Sequence, residues 1–306
     1  MHATRSFSVR RGGILSAALL LLLVLAACGS ESDPPDGGGS EPPTAAERAD
    51  GDPEMAAGGE TASDAASACA LTVGWDPWEP YHYLAIGGQP QGLDIEIVGA
   101  VAEHAGCDLE FLQGGWDTLL RLLRAGELDL MLGATRTPAR EDWARFSEPY
   151  RSESFRLYVL DRQAEEFAGR GLEALLEDGF RLGVTQGYYY GPGINRLIEQ
   201  PGLENQVLEA PVGELNFTWL LDMQIDGFIE DPFVAAAIER RRRDAEPIVA
   251  LPDELSEGQV AFMFSRESVD AGVVERFNAG ISALRDSGRH QALLDQYLDR
   301  VTDASP

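Results

Sequence analysis

Two stretches of the sequence combine residue types that can hold a small ligand. The first, WDPWEPY at residues 75–81, carries three aromatic rings and two carboxylates. Aromatic rings supply apolar contact area and a face for cations, and carboxylates accept hydrogen bonds. A further aromatic residue, Trp116, follows the glycines at 114 and 115. This pattern predicts that aromatic rings of these stretches contact a bound molecule, with core packing as the alternative for each tryptophan.

The second stretch, GATRTPAR at residues 133–140, contains Thr135 and ends in Arg140. A guanidinium can bind both oxygens of a carboxylate, while a hydroxyl and backbone N–H groups donate further hydrogen bonds. We therefore predict a carboxylate-binding loop. A solvated arginine is the alternative, because one arginine in a loop is a weak motif.

The elements around these stretches alternate between strand and helix. Strands are predicted at residues 71–74, 109–112, 128–132, 155–160, 181–184, 206–208, 227–229 and 259–264, helices at 94–105, 116–125, 193–200, 215–223 and 234–242, and an amphipathic stretch at 273–298. Strand–helix–strand units imply parallel sheets, whose ligands bind beyond the carboxyl ends of the strands. Both ligand-binding stretches follow such ends.

This order predicts an α/β protein of two lobes, because the chain leaves one alternating unit, builds a second and returns. Lobe 1 is predicted at residues 69–160 and 257–303, and lobe 2 at residues 161–256. The chain then crosses between the lobes near residues 160 and 256. Two such crossings form a natural hinge.

The charge of the chain excludes several classes of function. It has 24 basic and 51 acidic residues, a net charge of −27, and every basic residue is an arginine. Nucleic-acid binding needs clustered cations, so nucleic acid is not expected as a partner. Mechanisms that use a lysine are excluded as well. Because the four histidines are scattered, no metal or other cofactor is predicted.

The first 28 residues have the layout of a secretory signal, with three early arginines and an apolar run at residues 14–25. The sequence LAAC at residues 25–28 resembles the lipobox of bacterial lipoproteins. That resemblance implies cleavage before Cys28 and acylation of its side chain and new N-terminus, which would anchor the protein to a membrane. A cleaved protein without a lipid is the alternative.

Residues 29–67 form a predicted disordered tether. They contain ten acidic residues, one arginine and almost no large apolar side chains. Such a segment cannot bury enough apolar surface to fold, and its like charges keep it extended.

Cys69 and Cys107 remain once Cys28 is assigned to the lipid. An even pair of cysteines in an oxidising compartment predicts a disulfide. Each cysteine stands just before a predicted strand. Adjacent parallel strands joined by the helix at 94–105 would bring both to one edge, about 4.8 Å apart.

From residue 71 onward the chain resembles the amino-acid-binding proteins of ABC transporters, the family 3 solute-binding proteins. The resemblance covers about three quarters of the chain. It rests on GLDIE (92–96), AGELD (125–129), TPAR (137–140), FSEPY (146–150), GVTQG (183–187), FNAGI (277–281) and LRDSG (284–288). It implies the two-lobe type II fold of periplasmic binding proteins, a small zwitterionic ligand and an ABC permease as partner.

The resemblance also implies roles for single residues. Arg140 matches the arginine that binds the ligand carboxylate, Thr135 a hydroxyl donor, and Asp231 the acid that binds the α-ammonium. Trp78 and Trp116 match aromatic residues that enclose the ligand side chain, and Asp76 an acid that contacts it. Tyr189, predicted to contact the ligand, stands where the family has a small serine or threonine. The run of three tyrosines from Tyr188 to Tyr190 is expected to shrink or reshape the pocket.

We therefore expect a monomeric, lipid-anchored receptor outside the cytoplasm that binds an amino acid for uptake, and not an enzyme. Two alternatives stay open from the sequence. One is an enzyme similar to periplasmic cyclohexadienyl dehydratase, with Glu230 as a general acid. The other is a receptor that feeds a membrane signalling protein. The identity of the amino acid is not predicted.

Overall fold

The computed structural model describes residues 69–299 of the chain. The predicted signal segment with Cys28, the predicted tether and residues 300–306 lie outside the described residues. No described helix combines the length and the apolar character needed to cross a membrane.

The first part of the described chain builds a parallel unit. Its elements are β1 (Cys69–Trp75), β2 (Tyr83–Leu84), β3 (Pro90–Gln91), α1 (Leu93–Ala105), β4 (Cys107–Gln113), α2 (Trp116–Ala125), β5 (Leu130–Thr135), α3 (Pro138–Glu141) and β6 (Ala144–Phe146). Strand β1 pairs in parallel with both β4 and β5. This unit is called the β1 half.

A long strand leads to a second parallel unit. The elements are β7 (Arg151–Leu160), a 3₁₀ turn (Asp161–Gln163), α4 (Ala164–Phe167), α5 (Leu172–Glu177), β8 (Leu182–Thr185), α6 (Pro192–Ile198), β9 (Val207–Ala210), α7 (Gly213–Leu221), β10 (Gly227–Glu230) and α8 (Pro232–Arg241). Strand β8 pairs in parallel with β9 and β10. This unit is called the β8 half.

The chain then returns to the β1 half. The returning elements are β11 (Ile248–Ser265), α9 (Ala271–Asp286), α10 (Arg289–Leu294) and a π turn (Asp295–Asp299). The strand order β4-β1-β5-β11-β7-β10-β8-β9 makes one continuous sheet, and β6 pairs with β11. The antiparallel pair β7–β11 joins the two halves and is irregular between Ala250 and Ser256. The two halves and the neighbouring folds described below agree with the predicted two-lobe type II fold.

Several helix ends are set by residues that the sequence makes visible. Helix α1 begins after Gly92, whose φ is +130° and whose added Cβ would lie 2.2 Å from the Tyr81 carbonyl oxygen. Only glycine tolerates this close approach. Asp231 caps α8, because its side chain accepts hydrogen bonds from the backbone N–H groups of Phe233 and Val234.

The predicted alternation of strands and helices is confirmed. Two details differ. The strand predicted at 128–132 lies at Leu130–Thr135, because Leu128 packs in the core just before the strand. The amphipathic stretch predicted at 273–298 divides at Gly288, whose φ of +73° separates α9 from α10. The lobe boundaries at 160 and 256 stay a prediction.

The predicted disulfide is confirmed. Cys69 and Cys107 are direct partners in the β1–β4 ladder, with Cα atoms 4.4 Å apart and an S–S distance of 2.08 Å. The α1 crossover between the two strands places them at one edge of the sheet, as the sequence predicted. Closing the loop between them contributes about 3–4 kcal/mol in a chain-entropy account.

Candidate functional site

Four loops at the carboxyl ends of β1, β4, β5 and β8 meet between the two halves of the sheet. They enclose a small cavity of about 20 Å³. The lining residues are Asp76, Trp78, His82, Trp116, Gly133, Thr135, Arg140, Glu153, Phe155, Tyr188 and Tyr189. A space of this size holds about one water molecule.

Arg140 reaches this cavity from α3, a short helix capped by the side chain of Thr137. Its guanidinium donates to the carbonyl oxygens of Thr135 at 2.9 Å and Gly187 at 3.0 Å. Within residues 69–299, no carboxylate oxygen lies within ion-pair distance of it. Burial lowers the pKa of Arg140 to about 10, against the opposing effect of Glu153, so the side chain keeps its charge at neutral pH.

The Gly187 carbonyl connects the two halves of the sheet at this point. It accepts hydrogen bonds from the indole Nε1 of Trp116 and from Arg140, both at 3.0 Å. The φ of Gly187 is +76°, and an added Cβ would lie 3.3 Å from the Trp116 ring. A glycine is therefore required for the carbonyl to point at both donors.

Glu153, on β7, supplies a carboxylate to the same cavity. The Thr135 hydroxyl donates to Glu153 Oε1 at 2.5 Å. Burial raises the pKa of Glu153 to about 7, although the nearby Arg151 and the Thr135 hydroxyl favour its ionised form. The cavity thus places a cation, a hydroxyl and a titratable carboxylate around one small space.

The aromatic slot, which we define as Trp78, Trp116 and Asp76, forms another wall of the cavity. Tyr188, from the β8 half, lies in it. Its ring is 6.1 Å from Trp78 and 5.5 Å from Trp116, edge to face in both contacts. Its hydroxyl donates to Asp76 Oδ2 at 2.5 Å. The slot is therefore occupied by a side chain of the protein itself.

Asp231 lies outside the cavity lining. Besides capping α8, its carboxylate accepts a hydrogen bond from the Tyr81 hydroxyl at 3.2 Å. Burial raises its pKa to about 6, although Arg151 and the bonds from Phe233 and Val234 favour the ionised form. All three of these donors, Tyr81, Phe233 and Val234, bond the same oxygen, Oδ1. The contact of Asp231 with a ligand ammonium stays a prediction.

Glu230 is buried beside Asp231. Its Oε1 accepts hydrogen bonds at 2.9 Å from Trp78 Nε1 and from the Asp231 backbone N–H. Burial raises the pKa of Glu230 to about 8, against the effect of these donors. This side chain binds the loop after β1 to the β8 half.

A second arginine, Arg151, lies close to the cavity but has a different environment. Its Nε and Nη2 donate to the two carboxylate oxygens of Asp94 at 2.8 and 2.9 Å. The Tyr150 hydroxyl also donates to Asp94, and the Tyr81 ring lies 3.7 Å from the Arg151 guanidinium carbon. Both charges of this pair are fully buried and neutralise each other.

A third group of charges lies outside the cavity lining. Glu79 accepts from Arg240 at 3.3 Å and also pairs with Arg241. These ion pairs join the loop after β1 to helix α8. Their side chains are 22–38% exposed, so solvent screens them.

Six of the seven ligand-binding residues predicted from sequence line the cavity: Asp76, Trp78, Trp116, Thr135, Arg140 and Tyr189. The prediction did not include Tyr188, Glu153 or His82. Tyr188 was visible only as one member of a run of three tyrosines. Glu153 carries no local motif, since it lies within a strand. No group of residues suited to hold a metal ion occurs within the described range.

The comparison with known families decides the class of protein. Residues 71–300 match the family described as bacterial extracellular solute-binding proteins, family 3. The chain belongs to this family. The family match agrees with the resemblance seen in the sequence, and it makes the cavity the candidate solute site.

Individual relatives are distant. An arginine-binding extracellular protein, ArtP, of Bacillus subtilis is 23% identical over 218 residues, covering 71% of this chain and 80% of that protein. A membrane-bound lytic murein transglycosylase F of Desulfosudis oleivorans is 27% identical over 216 residues, covering 69% of this chain. The match spans only 45% of the transglycosylase.

Solved structures share the fold. A mutant of ArgBP from T. maritima superimposes with a TM-score of 0.64 at 22% identity, covering 75% of this chain and 95% of that one. A histidine kinase sensor domain gives 0.65 at 20% identity, with 75% and 96% covered. The ancestral protein AncCDT-1, described as a precursor of cyclohexadienyl dehydratase, gives 0.63 at 21% identity, with 74% and 95% covered.

Proposed function

We propose that this family 3 solute-binding protein is a receptor that binds a free amino acid outside the cytoplasm and delivers it to an ABC permease. The observation that carries the proposal is Arg140, a cation that lines the cavity and, among residues 69–299, donates its side-chain hydrogen bonds only to neutral carbonyl groups. Its charge remains available to an anionic ligand. A guanidinium in this situation is suited to bind a carboxylate through two hydrogen bonds.

The groups around Arg140 suit the rest of an amino acid. The ligand carboxylate would accept from Arg140 and from the Thr135 hydroxyl, once that hydroxyl turns from Glu153. The α-ammonium would then lie against the Glu153 carboxylate. Opposite charges at fixed positions orient a zwitterion and reject neutral analogues. Asp231, predicted as the ammonium acceptor, is the alternative partner.

The aromatic slot would receive the ligand side chain. Asp76 is buried, and its Oδ1 has no hydrogen-bond partner among the described residues. A buried acceptor without a partner is costly, so a ligand that brings a donor to this oxygen is favoured. Two relatives favour a ligand whose side chain has N–H donors. They are the arginine-binding protein ArtP and a probable histidine-binding protein of Neisseria gonorrhoeae.

A ligand panel tests the proposal. Isothermal titration of the mature protein with the twenty amino acids should identify at least one ligand, with arginine and histidine tested first. The decarboxylated amine and the deaminated acid of that ligand should each bind at least about tenfold more weakly, because each lacks one charge. Absence of binding to all amino acids, or equal binding of the amino acid and its two analogues, would contradict the proposal.

We further propose that the receptor is held at the membrane by acylated Cys28, with residues 29–67 as the tether. Metabolic labelling with palmitate followed by mass spectrometry of the N-terminal peptide tests this. The variant C28A should be unlabelled and should move to the soluble fraction. A labelled C28A protein, or an unlabelled wild-type protein, would contradict the lipid anchor.

A dehydratase is the second candidate, supported by the buried carboxylic acid Glu230 and by the fold shared with AncCDT-1. Incubation with prephenate or arogenate tests it, and formation of an aromatic product would replace the receptor assignment. A signalling receptor is supported by the fold shared with the kinase sensor domain. It would bind the same amino acid but would associate with a membrane sensor instead of a permease.

A further inference from the structure

The aromatic slot of this protein contains an internal occupant. Tyr188 inserts its ring between Trp78 and Trp116, and its hydroxyl bonds Asp76. These three residues are the ones that the sequence assigns to the ligand side chain. The Tyr188 ring packs against both tryptophans, and its hydroxyl donates to the Asp76 carboxylate. A ligand side chain with a hydrogen-bond donor at its end would make the same contacts.

The space that remains excludes an amino acid. The cavity of about 20 Å³ accommodates about one water molecule, whereas small-molecule sites measure roughly 300–1,000 Å³. Opening the cleft would enlarge the cavity. It would also withdraw Tyr188 from the slot, because Tyr188 belongs to the β8 half and the slot belongs to the β1 half. On reclosure, the ligand side chain and Tyr188 therefore require the same volume.

Asp76 indicates what kind of ligand wins this competition. Tyr188 satisfies Oδ2 of this cavity-lining residue, but Oδ1 is buried, 3.8 Å from His82 Nδ1, and has no hydrogen bond among the described residues. Asp76 itself is 2% exposed. A phenol donates one hydrogen bond, whereas a guanidinium or an ammonium group donates several and brings a compensating charge.

We infer that Tyr188 is a specificity-determining residue that competes with the ligand side chain for the aromatic slot, so that only side chains able to donate to both oxygens of Asp76 displace it. This inference rests on the proposed function. Ligands with small or apolar side chains do not displace Tyr188 from the slot, and they therefore bind weakly. Specificity is then achieved by excluding the wrong ligands as well as by contacting the right one.

The variant Tyr188→Ser tests the inference by removing the ring. The affinity for alanine, leucine and phenylalanine should rise by about tenfold or more, because the competing contacts and one hydrogen bond are gone. The affinity for arginine should change less, so the preference for arginine over leucine should fall. Tyr188→Phe keeps the ring and loses the hydroxyl, and its effect should be intermediate.

Glu79→Gln is the matched control. It weakens the ion pairs to Arg240 and Arg241, which also join the two halves, but it does not touch the slot. If Glu79→Gln alters the opening of the cleft, it should change the affinity for every amino acid by the same factor. A uniform change in Tyr188→Ser, or a loss of all binding, would overturn the inference.

A measurement without ligand separates failure of the inference from failure of the proposed function. Acrylamide should quench tryptophan fluorescence more strongly in Tyr188→Ser than in the wild type or Glu79→Gln, because Trp78 and Trp116 become accessible. Unchanged quenching would overturn occupancy of the slot. Increased quenching with no amino acid bound by any variant would instead reject the proposed function, and with it the role of Tyr188 as a competitor.

Discussion

Arg140 and Arg151 lie near the same cleft, yet their surroundings give them different roles. Arg151 is neutralised by a bidentate contact with Asp94 and covered by the Tyr81 ring. Arg140 binds two neutral carbonyl oxygens and faces the cavity. Burial alone therefore does not identify a binding arginine. The useful criterion is whether the protein already supplies the counter-charge.

The largest expected effect is on stability, at Arg151. The variant Arg151→Met leaves the buried Asp94 without its counter-ion, so the free energy of unfolding should fall by about 3–5 kcal/mol. Urea denaturation measures this change. If the single variant does not fold, the double variant Asp94→Asn, Arg151→Met should recover much of the loss, because neither charge is then left unpaired. A loss below about 1 kcal/mol would contradict a structural ion pair.

The variant Arg140→Met should weaken ligand binding strongly and change stability little. We expect the affinity for the best amino acid of the panel to fall by about 100-fold, because two hydrogen bonds to a charged carboxylate are lost. The free energy of unfolding should change by less than about 1 kcal/mol. Titration calorimetry and urea denaturation of the same sample measure both quantities. Unchanged affinity would remove Arg140 from the site.

Glu153 should make ligand binding depend on pH. Its raised pKa of about 7 means that the free protein must lose a proton before the carboxylate can pair with a ligand ammonium. Affinity should therefore rise by about tenfold between pH 6 and pH 7.5 and then level off. In Glu153→Gln the affinity should be lower and nearly constant over this range. If the variant keeps the pH dependence, another group is responsible.

The smallest effect is expected for an arginine of a third kind. Arg121 is 66% exposed and pairs with Asp117 one helical turn away on α2. Arg121→Met should change the free energy of unfolding by about 0.5 kcal/mol or less, and ligand affinity not at all, because solvent screens exposed pairs. This variant serves as the control for both other arginines. A larger loss of stability would show that solvent exposure does not distinguish Arg121 from Arg140 and Arg151.

The fold could be predicted from sequence because its signals are local. Apolar patterning with period 2 or 3.6 marked the longer strands and helices, whereas short elements such as β6 and α4 were not predicted, and glycines such as Gly92 and Gly106 lie at the ends of α1. The Cys69–Cys107 pair followed from two cysteines at equivalent positions of adjacent strands. The divided stretch after residue 273 was missed, since both helices present apolar residues to the same core and the break at Gly288 disturbs the pattern little.

The candidate site could be predicted only in part. Residues inside motifs, such as Arg140 and Thr135, were found from the types of their neighbours. Glu153 was missed because an alternating strand such as β7 does not indicate which of its polar residues reaches a cavity. Asp231 was assigned to the ligand ammonium by resemblance, and that contact stays a prediction. The structure shows its carboxylate bonded to Tyr81 and to the first turn of α8.

The sequence by itself determined the order of the elements, the disulfide, the family and most of the cavity lining, because these depend on patterns within short segments and on motif spacing. Only the tertiary structure decided which charges neutralise each other and which side chain fills the aromatic slot. Arg151 meets Asp94, and Tyr188 meets Asp76, through contacts 57 and 112 residues apart in the chain. Such contacts depend on how the sheet brings its loops together, which no local pattern encodes.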